Sequence, residues 1–214
     1  SIIEWRVNNL ISKEPKTIEW INNFNGEKIV FWDVGANIGV YSIYAALKHL
    51  DKIKVNSFEP STSNLRILSR NININNYSEQ IEIVQLPLFN NKLEFNKMNE
   101  SRFIEGGALH SFSVDYNYKG KKYKINNMYK IIGVSLDFLI DNNVLSPPNY
   151  LKIDVDGTEH LILDGAKNIL ASEDRPKEIL IELHKEFEDQ YSKVFNIMKK
   201  NNYELIDNYP DQIE

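Results

Sequence analysis

The stretch Ile29 to Tyr41, IVFWDVGANIGVY, constrains this chain most, because an apolar run ends on an acid and opens at once into a glycine-spaced loop. Ile29, Val30, Phe31 and Trp32 are β-branched or aromatic with no polar alternation, the pattern of a parallel strand covered on both faces. Asp33 stands at the strand's carboxyl end, Gly35 and Gly39 flank Asn37, and a helix is expected over Val40 to Leu50. Without Cβ atoms, the glycines let a ligand approach the backbone where strand becomes helix. In open α/β sheets that turn borders the ligand crevice.

The glycine spacing narrows the ligand. Dinucleotide-binding proteins use GxGxxG so that a helix N-terminus faces a pyrophosphate; here the order is DxGxNxG. That order resembles motif I of class I S-adenosylmethionine-dependent methyltransferases, whose ligand is cationic at sulfur and carries no phosphate. An acid beside the glycines suits such a cation. Alone, the glycines would only pack a helix tightly on a strand. The second signal is Val55 to Pro60, VNSFEP, a short strand ending on Glu59, followed by helical apolar spacing at Leu65, Leu68 and Ile72 within Ser61 to Asn75. A carboxylate at that strand end can accept both hydroxyls of a ribose. Otherwise Glu59 caps the following helix, a task Ser61 or Ser63 can also perform.

A chain of 214 residues fits one α/β domain. The expected division is a helical segment over 1–28 and a catalytic domain over 29–214, with an insertion at about 90–133. A net charge of −5 and a pI near 5.5 argue against a nucleic-acid partner held through its phosphates. The basic run Lys119 to Lys124, KGKKYK, reads as a solvated hairpin turn. With no cysteine there is no disulfide, thiolate metal site or nucleophilic thiol. No transmembrane span or signal peptide is recognised, a cytoplasmic location is expected, and a start at Ser1 points to a trimmed chain. The sequons at Asn76 and Asn99 therefore carry little weight.

In chain order, Ile2, Trp5, Leu10, Ile11, Ile18, Trp20, Ile21 and Phe24, interrupted by Pro15, suggest two short amphipathic helices that pack on the sheet or roof the site. Gln80 to Phe89 reads as a third strand with Pro87 at its end or edge, placing Gln85 and Leu86 level with an adenine. Short alternating runs between Asn90 and Gly133 read as a β-rich segment carrying part of an acceptor pocket, with Arg102, His110 and Tyr116 as candidate contacts. Ser135 to Asn142 reads as a capped helix and Tyr150 to Val155 as a buried strand. Leu161 to Ala171 reads as a helix, Glu178 to Leu183 as a fifth strand, Lys185 to Asn202 as a helix and Tyr203 to Ile206 as a sixth strand. Strands alternating with helices predict a doubly wound, mostly parallel sheet.

FWDVGANIGVYS, FEPSTSNLRILSRNININN, SLDFLIDN and LKIDVDGTEHLILDGA, in this order, resemble the FkbM family of S-adenosylmethionine-dependent methyltransferases over about Ile29 to Leu183. The resemblance implies a Rossmann-like class I methyltransferase sheet and methylation of a hydroxyl oxygen, often on a sugar or natural product. It sets Asp33, Gly35, Asn37 and Gly39 around the methionine part of the cofactor and Glu59 on its ribose. The full candidate cofactor set is Asp33, Gly35, Ala36, Asn37, Gly39, Glu59, Pro60, Asn64, Gln85 and Asp154. The chain departs from the family where DxEG is usual and Asp154-Val155-Asp156-Gly157 stands instead, and around Pro87-Leu88-Phe89, where small residues are usual.

Methyl transfer needs an aligned acceptor and a base for its proton. The candidate bases are Asp154, Asp156, Glu159 and His184. An imidazole ordinarily titrates at about 6.5, so His184 is expected as base and Asp154 as orienter, with Asp156 beside them. A divalent ion on Asp154, Asp156, Glu182 and His184 is a rival arrangement, although no metal is assigned. Two rival functions share the fold: a non-catalytic binding module and a nicotinamide-dependent oxidoreductase, the latter lacking its GxGxxG.

Overall fold

The computed structural model of the protein describes residues 14–206. Strands β1 (Ile29–Val34), β2 (Ile53–Phe58), β3 (Ile81–Val84), β7 (Tyr150–Ile153) and β8 (Glu178–Ile181) form a parallel sheet in the order β3-β2-β1-β7-β8. Between β3 and β7 the chain builds a second, antiparallel sheet from β4 (Leu93–Glu100), β5 (His110–Phe112) and β6 (Asn127–Val134), in the order β5-β4-β6. The helices are α1 (Pro15–Asn22), α2 (Val40–His49), α3 (Thr62–Ile74), α4 (Leu136–Asp141), α5 (Glu159–Asp164), α6 (Lys167–Ala171) and α7 (Glu188–Lys200).

Both faces of the parallel sheet are apolar, as continuous hydrophobic strands require. On one face Phe31, Val55 and Tyr150 pack with Ile21 of α1, Ala45 and Ala46 of α2 and Leu68 of α3. On the other, Trp32, Phe58, Leu151 and Ile153 pack with Leu136 of α4, Ile162 of α5, Leu170 of α6 and Val194 of α7. This is the doubly wound α/β arrangement expected from the strand and helix alternation.

Pro15 opens α1, where its missing N–H costs nothing. Trp20 of α1 packs edge-on against Phe24, Phe31 and Tyr150, and its Nε1 donates to Glu178 Oε2 at 2.8 Å. It therefore packs on the sheet instead of roofing the site. The other expected N-terminal helix, with Ile2, Trp5, Leu10 and Ile11, lies outside the described residues.

Three expectations about elements need correction. The expected third strand leaves the main sheet after Val84: Leu88 pairs with Val134, whose N–H donates to Pro87 O at 3.0 Å and whose carbonyl accepts from Phe89 N at 2.8 Å. The expected helix over 161–171 is broken into α5 and α6. At the break, Gly165 O accepts from Asp137 N at 3.0 Å, and a Cβ on Gly165 would stand 2.1 Å from the Phe89 carbonyl oxygen. Close packing there turns the chain. Tyr203 to Ile206 forms no strand; the Tyr203 hydroxyl donates to Pro176 O at 2.7 Å and its N–H to Met198 O, while Leu205 and Ile206 are exposed.

Candidate functional site

The loop from β1 into α2 is tied to the end of β2, since the N–H groups of Gly35 and Ala36 both donate to Phe58 O at 3.0 Å. Gly35 has φ +86, and a Cβ there would lie 1.9 Å from the Asp154 carbonyl oxygen at the end of β7. Only glycine lets the two strand ends approach this closely. Asn37 follows with φ +53, which turns its N–H onto Glu59 Oε2 at 2.8 Å. Glu59 Oε1 accepts from Ser61 N at 2.8 Å. Burial pushes Glu59 up to about 8 in spite of these two backbone donors and the Asn64 side chain.

Beside Glu59 is a cavity of about 70 Å³, lined among others by Gly35, Asn37, Pro60, Asn64, Leu86, His110, Asp154 and Asp156. Ligand sites ordinarily enclose about 300–1,000 Å³, and the difference traces to the segment joining β4 to β5, which lies across it. Gly107 O accepts from Asn37 Nδ2 at 2.7 Å and from Asn64 Nδ2 at 3.3 Å. Gly106 N donates to Asn64 Oδ1 at 2.9 Å. Asp156 Oδ2 accepts from Leu109 N at 2.6 Å and from His110 N at 3.3 Å. The buried Asn37 Oδ1 has no hydrogen-bond partner, which leaves an acceptor available beside the carboxylate.

Asp33 faces elsewhere. It is in register with Ser57 on β2 and Lys152 on β7, so all three side chains form a row on the α2 side of the sheet. Asp33 Oδ2 accepts from Ser42 Oγ of α2 at 2.6 Å, and Ser57 Oγ donates to Ser42 Oγ at 2.7 Å. Lys152 Nζ stands 3.8 Å from Asp33 Oδ1 and 2.6 Å from Asp154 Oδ2. Asp33 and Glu59, which the resemblance sets around one cofactor, do not line the same cavity; Asp154 takes the rim position beside Glu59. Burial alone would depress the Lys152 ammonium, yet the carboxylates of Asp154 and Asp33 push it above its usual value. Asp33 is raised by burial, only partly offset by Lys152. Glu182 is raised by the charge of Asp154 and by a hydrogen bond to it.

Of the remaining expected residues, Ala36 is buried within the loop and packs in the core on the α2 side of the sheet, and Gly39, at φ +85, admits Leu68. Pro60 lines the cavity and its carbonyl accepts from the Tyr129 hydroxyl at 2.9 Å. Gln85 is exposed and does not line the cavity, whereas Leu86 and Pro87 do. His184 is outside the cavity lining, its Nε2 3.9 Å from Glu182 Oε1 and its ring 4.4 Å from that of Tyr118. Glu159 is buried beneath the Asp154 turn, accepting from Val155 N and Gly157 N at 3.2 Å and from Gln190 Nε2 at 2.5 Å; burial raises it to about 7. His110 lines the cavity, Arg102 is exposed, and Tyr116 packs its ring on Phe187. Among the described residues no three acidic or imidazole side chains converge as a metal site.

The sequence reading missed Lys152. Its signal was available: a lysine inside the apolar run YLKIDV, two residues before Asp154, needs a buried anion. A larger concavity, about 730 Å³, lies between α3, strand β2, the edge strand β3 and residues 144–146. It holds none of the glycine loop or strand-end acids, so size alone does not make it the site.

A family model described as the methyltransferase FkbM domain matches residues 33–205. Hexuronic acid methyltransferase AglP of Haloferax volcanii is 26% identical over 188 residues, covering 84% of this chain and 66% of that protein. Among solved structures, methyltransferase FkbM from Methylobacillus flagellatus KT superposes with a TM-score of 0.54 at 17% identity, covering 83% of this chain and 39% of that one. A precorrin-6y C5,15-methyltransferase from Geobacter metallireducens GS-15 gives 0.50 at 13% identity, covering 89% and 71%. Both structural likenesses concern the fold alone. The chain thus spans about two-thirds of the curated relative and well under half of the first structure. Among the described residues no helix is long and apolar enough to cross a membrane.

Proposed function

Since the chain belongs to the FkbM methyltransferase family, we propose that it methylates a hydroxyl oxygen of a sugar, glycan or natural product with S-adenosyl-L-methionine as donor. The observation that carries this reading is Glu59, buried at the end of β2 and held by Asn37 N and Ser61 N opposite the Gly35 turn. A carboxylate in that position suits a ribose diol, and the DxGxNxG loop offers no pyrophosphate cradle. The carbohydrate relative favours a sugar acceptor.

When bound, the cofactor supplies an electrophilic methyl on a sulfonium. The chain's own groups do the rest. Glu59 would hold the ribose, with Asn37 Oδ1, Pro60 and Asn64 beside it, while Gly35 and Ala36 keep the loop tight against the ends of β2 and β7 and Gly39 admits Leu68 of α3. Asp154 contributes negative charge at the rim for the cationic end of the ligand, while Asp33 acts at one remove by fixing Lys152 against Asp154. The acceptor hydroxyl must lose its proton as the oxygen attacks. His184, whose Nε2 lies 3.9 Å from Glu182 Oε1, is the proposed destination. Asp156 anchors the segment that closes the cavity, which must lift for a nucleoside to enter.

Calorimetric titration of S-adenosylhomocysteine and of NADH tests the cofactor assignment. Binding of the first alone is the expected outcome, and binding of NADH alone would overturn it. Labelled S-adenosylmethionine incubated with uronic acids, neutral glycans and hydroxylated metabolites then tests the acceptor class; label must appear in an alkali-stable ether.

A further inference from the structure

Charge is distributed unevenly along the chain. Residues 90–134 hold eight lysines and arginines against four acids, a net of +4, so the remainder of a chain of net −5 carries −9. The basic segment is the one that builds the small antiparallel sheet, whose inner face packs Met98 and Phe112 against Phe89, with Tyr129, Ile131 and Leu161. Its outer face is different. The register places Phe95 opposite Ile132 and Lys97 opposite Lys130, with Leu93 and Met128 at the two ends. Leu93 is 58% exposed, Phe95 66%, Met128 51% and Ile132 47%, and Lys97 and Lys130 are exposed with them. Lys130 Nζ lies 5.6 Å from the centre of the Phe95 ring.

Single exposed apolar residues mean nothing, but cross-strand neighbours make a contiguous patch. Here the patch lies on a two-stranded ribbon whose outer member, β6, is the edge of its sheet, an arrangement that soluble surfaces ordinarily avoid. Among the described residues no carboxylate of β4 or β6 stands on this face: Glu94 points to the other side, where it accepts from Asn96 and Ser113. A second copy of the chain would bring the same two lysines to both sides of the contact with no acid to offset them, so self-association does not suit it. An anionic lipid surface suits both components. Aromatic and aliphatic side chains enter the boundary of the acyl region, and the lysine stems lie along them while the ammonium groups stay among the headgroups.

We infer that the outer face of the β4–β6 ribbon is a docking surface for an anionic membrane, with Phe95 as its apolar anchor and Lys97 and Lys130 as its electrostatic contacts. The contact is peripheral and reversible, and it is independent of what the cavity binds.

The test is co-sedimentation of the full chain with vesicles of phosphatidylcholine alone and of phosphatidylcholine with one-quarter phosphatidylglycerol, in 0.1 M salt. Partitioning to the anionic vesicles should exceed that to neutral ones at least tenfold. Phe95→Glu, and separately the pair Lys97→Glu with Lys130→Glu, should each remove at least nine-tenths of it, while the Tm stays within a few degrees of the wild type. No sedimentation of the wild-type chain with anionic vesicles overturns the inference, as do variants that sediment like the wild type. A dimer in analytical ultracentrifugation that Phe95→Glu dissociates, without vesicle binding, overturns it in favour of self-association.

Discussion

Asp33 on β1 and Lys152 on β7 are register partners, both side chains about 1% exposed, with Oδ1 and Nζ 3.8 Å apart. Such a pair offers little net stability over an apolar pair, but removing one member strands the other charge in the interior. Lys152→Met should therefore destabilise the protein by about 3–5 kcal/mol, read from the shift of the urea midpoint. Adding Asp33→Asn should restore part of that loss, because Asp154 at the rim can still reach water. If the double variant is no more stable than Lys152→Met, the two charges are not coupled.

Glu59 and Glu159 contribute to the pH dependence of folding. Each is raised by burial, to about 8 and about 7, against an ordinary carboxylate value of about 4.3 when unfolded. Over that interval the folded state holds more protons than the unfolded one, so stability falls as pH rises from about 4.5 to about 8, by an order of a few kcal/mol for a fully buried group. Thermal melting should give a higher Tm at pH 5.5 than at pH 8.5. Glu59→Gln should flatten that slope, whatever it does to the absolute Tm, and above pH 8, where the carboxylate is charged, should weaken S-adenosylhomocysteine binding by roughly tenfold or more, the equivalent of about 1.5–3 kcal/mol for hydrogen bonds to a charged group.

The two loop glycines differ in what surrounds them. A Cβ on Gly35 meets a backbone oxygen at 1.9 Å, whereas one on Gly39 meets the end of the Leu68 side chain at 2.4 Å. Gly39→Ala should cost about 1–2 kcal/mol for its left-handed conformation. Gly35→Ala should cost clearly more, because β1 and β7 would have to separate. Denaturation of the two variants side by side checks the order, and equal losses would contradict the close approach at Asp154.

His184→Ala should lower kcat by about 10²–10⁴, the usual contribution of a positioned base, with little change in cofactor affinity. Turnover unchanged at every pH would remove His184 from that task. Glu182→Gln then asks whether the carboxyl pair acts in its place, through displacement of the pH–rate profile.

Asp156 holds the segment across the cavity by two backbone N–H groups. Asp156→Ala should increase proteolytic cleavage between 101 and 109 several-fold at unchanged global stability. Protection equal to the wild type would mean that Asn37 and Asn64 suffice to hold it.

Much of this architecture was legible in the sequence because it is written in local periods. The unbroken apolar runs marked buried parallel strands, the glycine spacing located the strand-to-helix turn, Ser135 announced a cap that Phe138 N satisfies at 3.1 Å, and the alternation after residue 90 marked a β-rich segment. Glu59 was placed at the correct strand end by chain order alone. The failures share a cause. The break at Gly165, the departure of Leu88 to the second sheet and the unpaired Tyr203 to Ile206 all depend on a neighbour distant in sequence, which no local pattern encodes.

By itself the sequence determined the periodicity of each element, the acids that end the strands and the positions where only glycine fits, since these follow from backbone sterics and from the cost of burying polar groups. Tertiary structure decided which acids meet. Register between β1 and β7 turned Asp33 toward Lys152, the insertion brought Gly107 onto Asn37 and Asn64, and closure of the sheet set Glu182 against Asp154. Each is a contact between segments that share no local geometry, so only the packed fold could choose it.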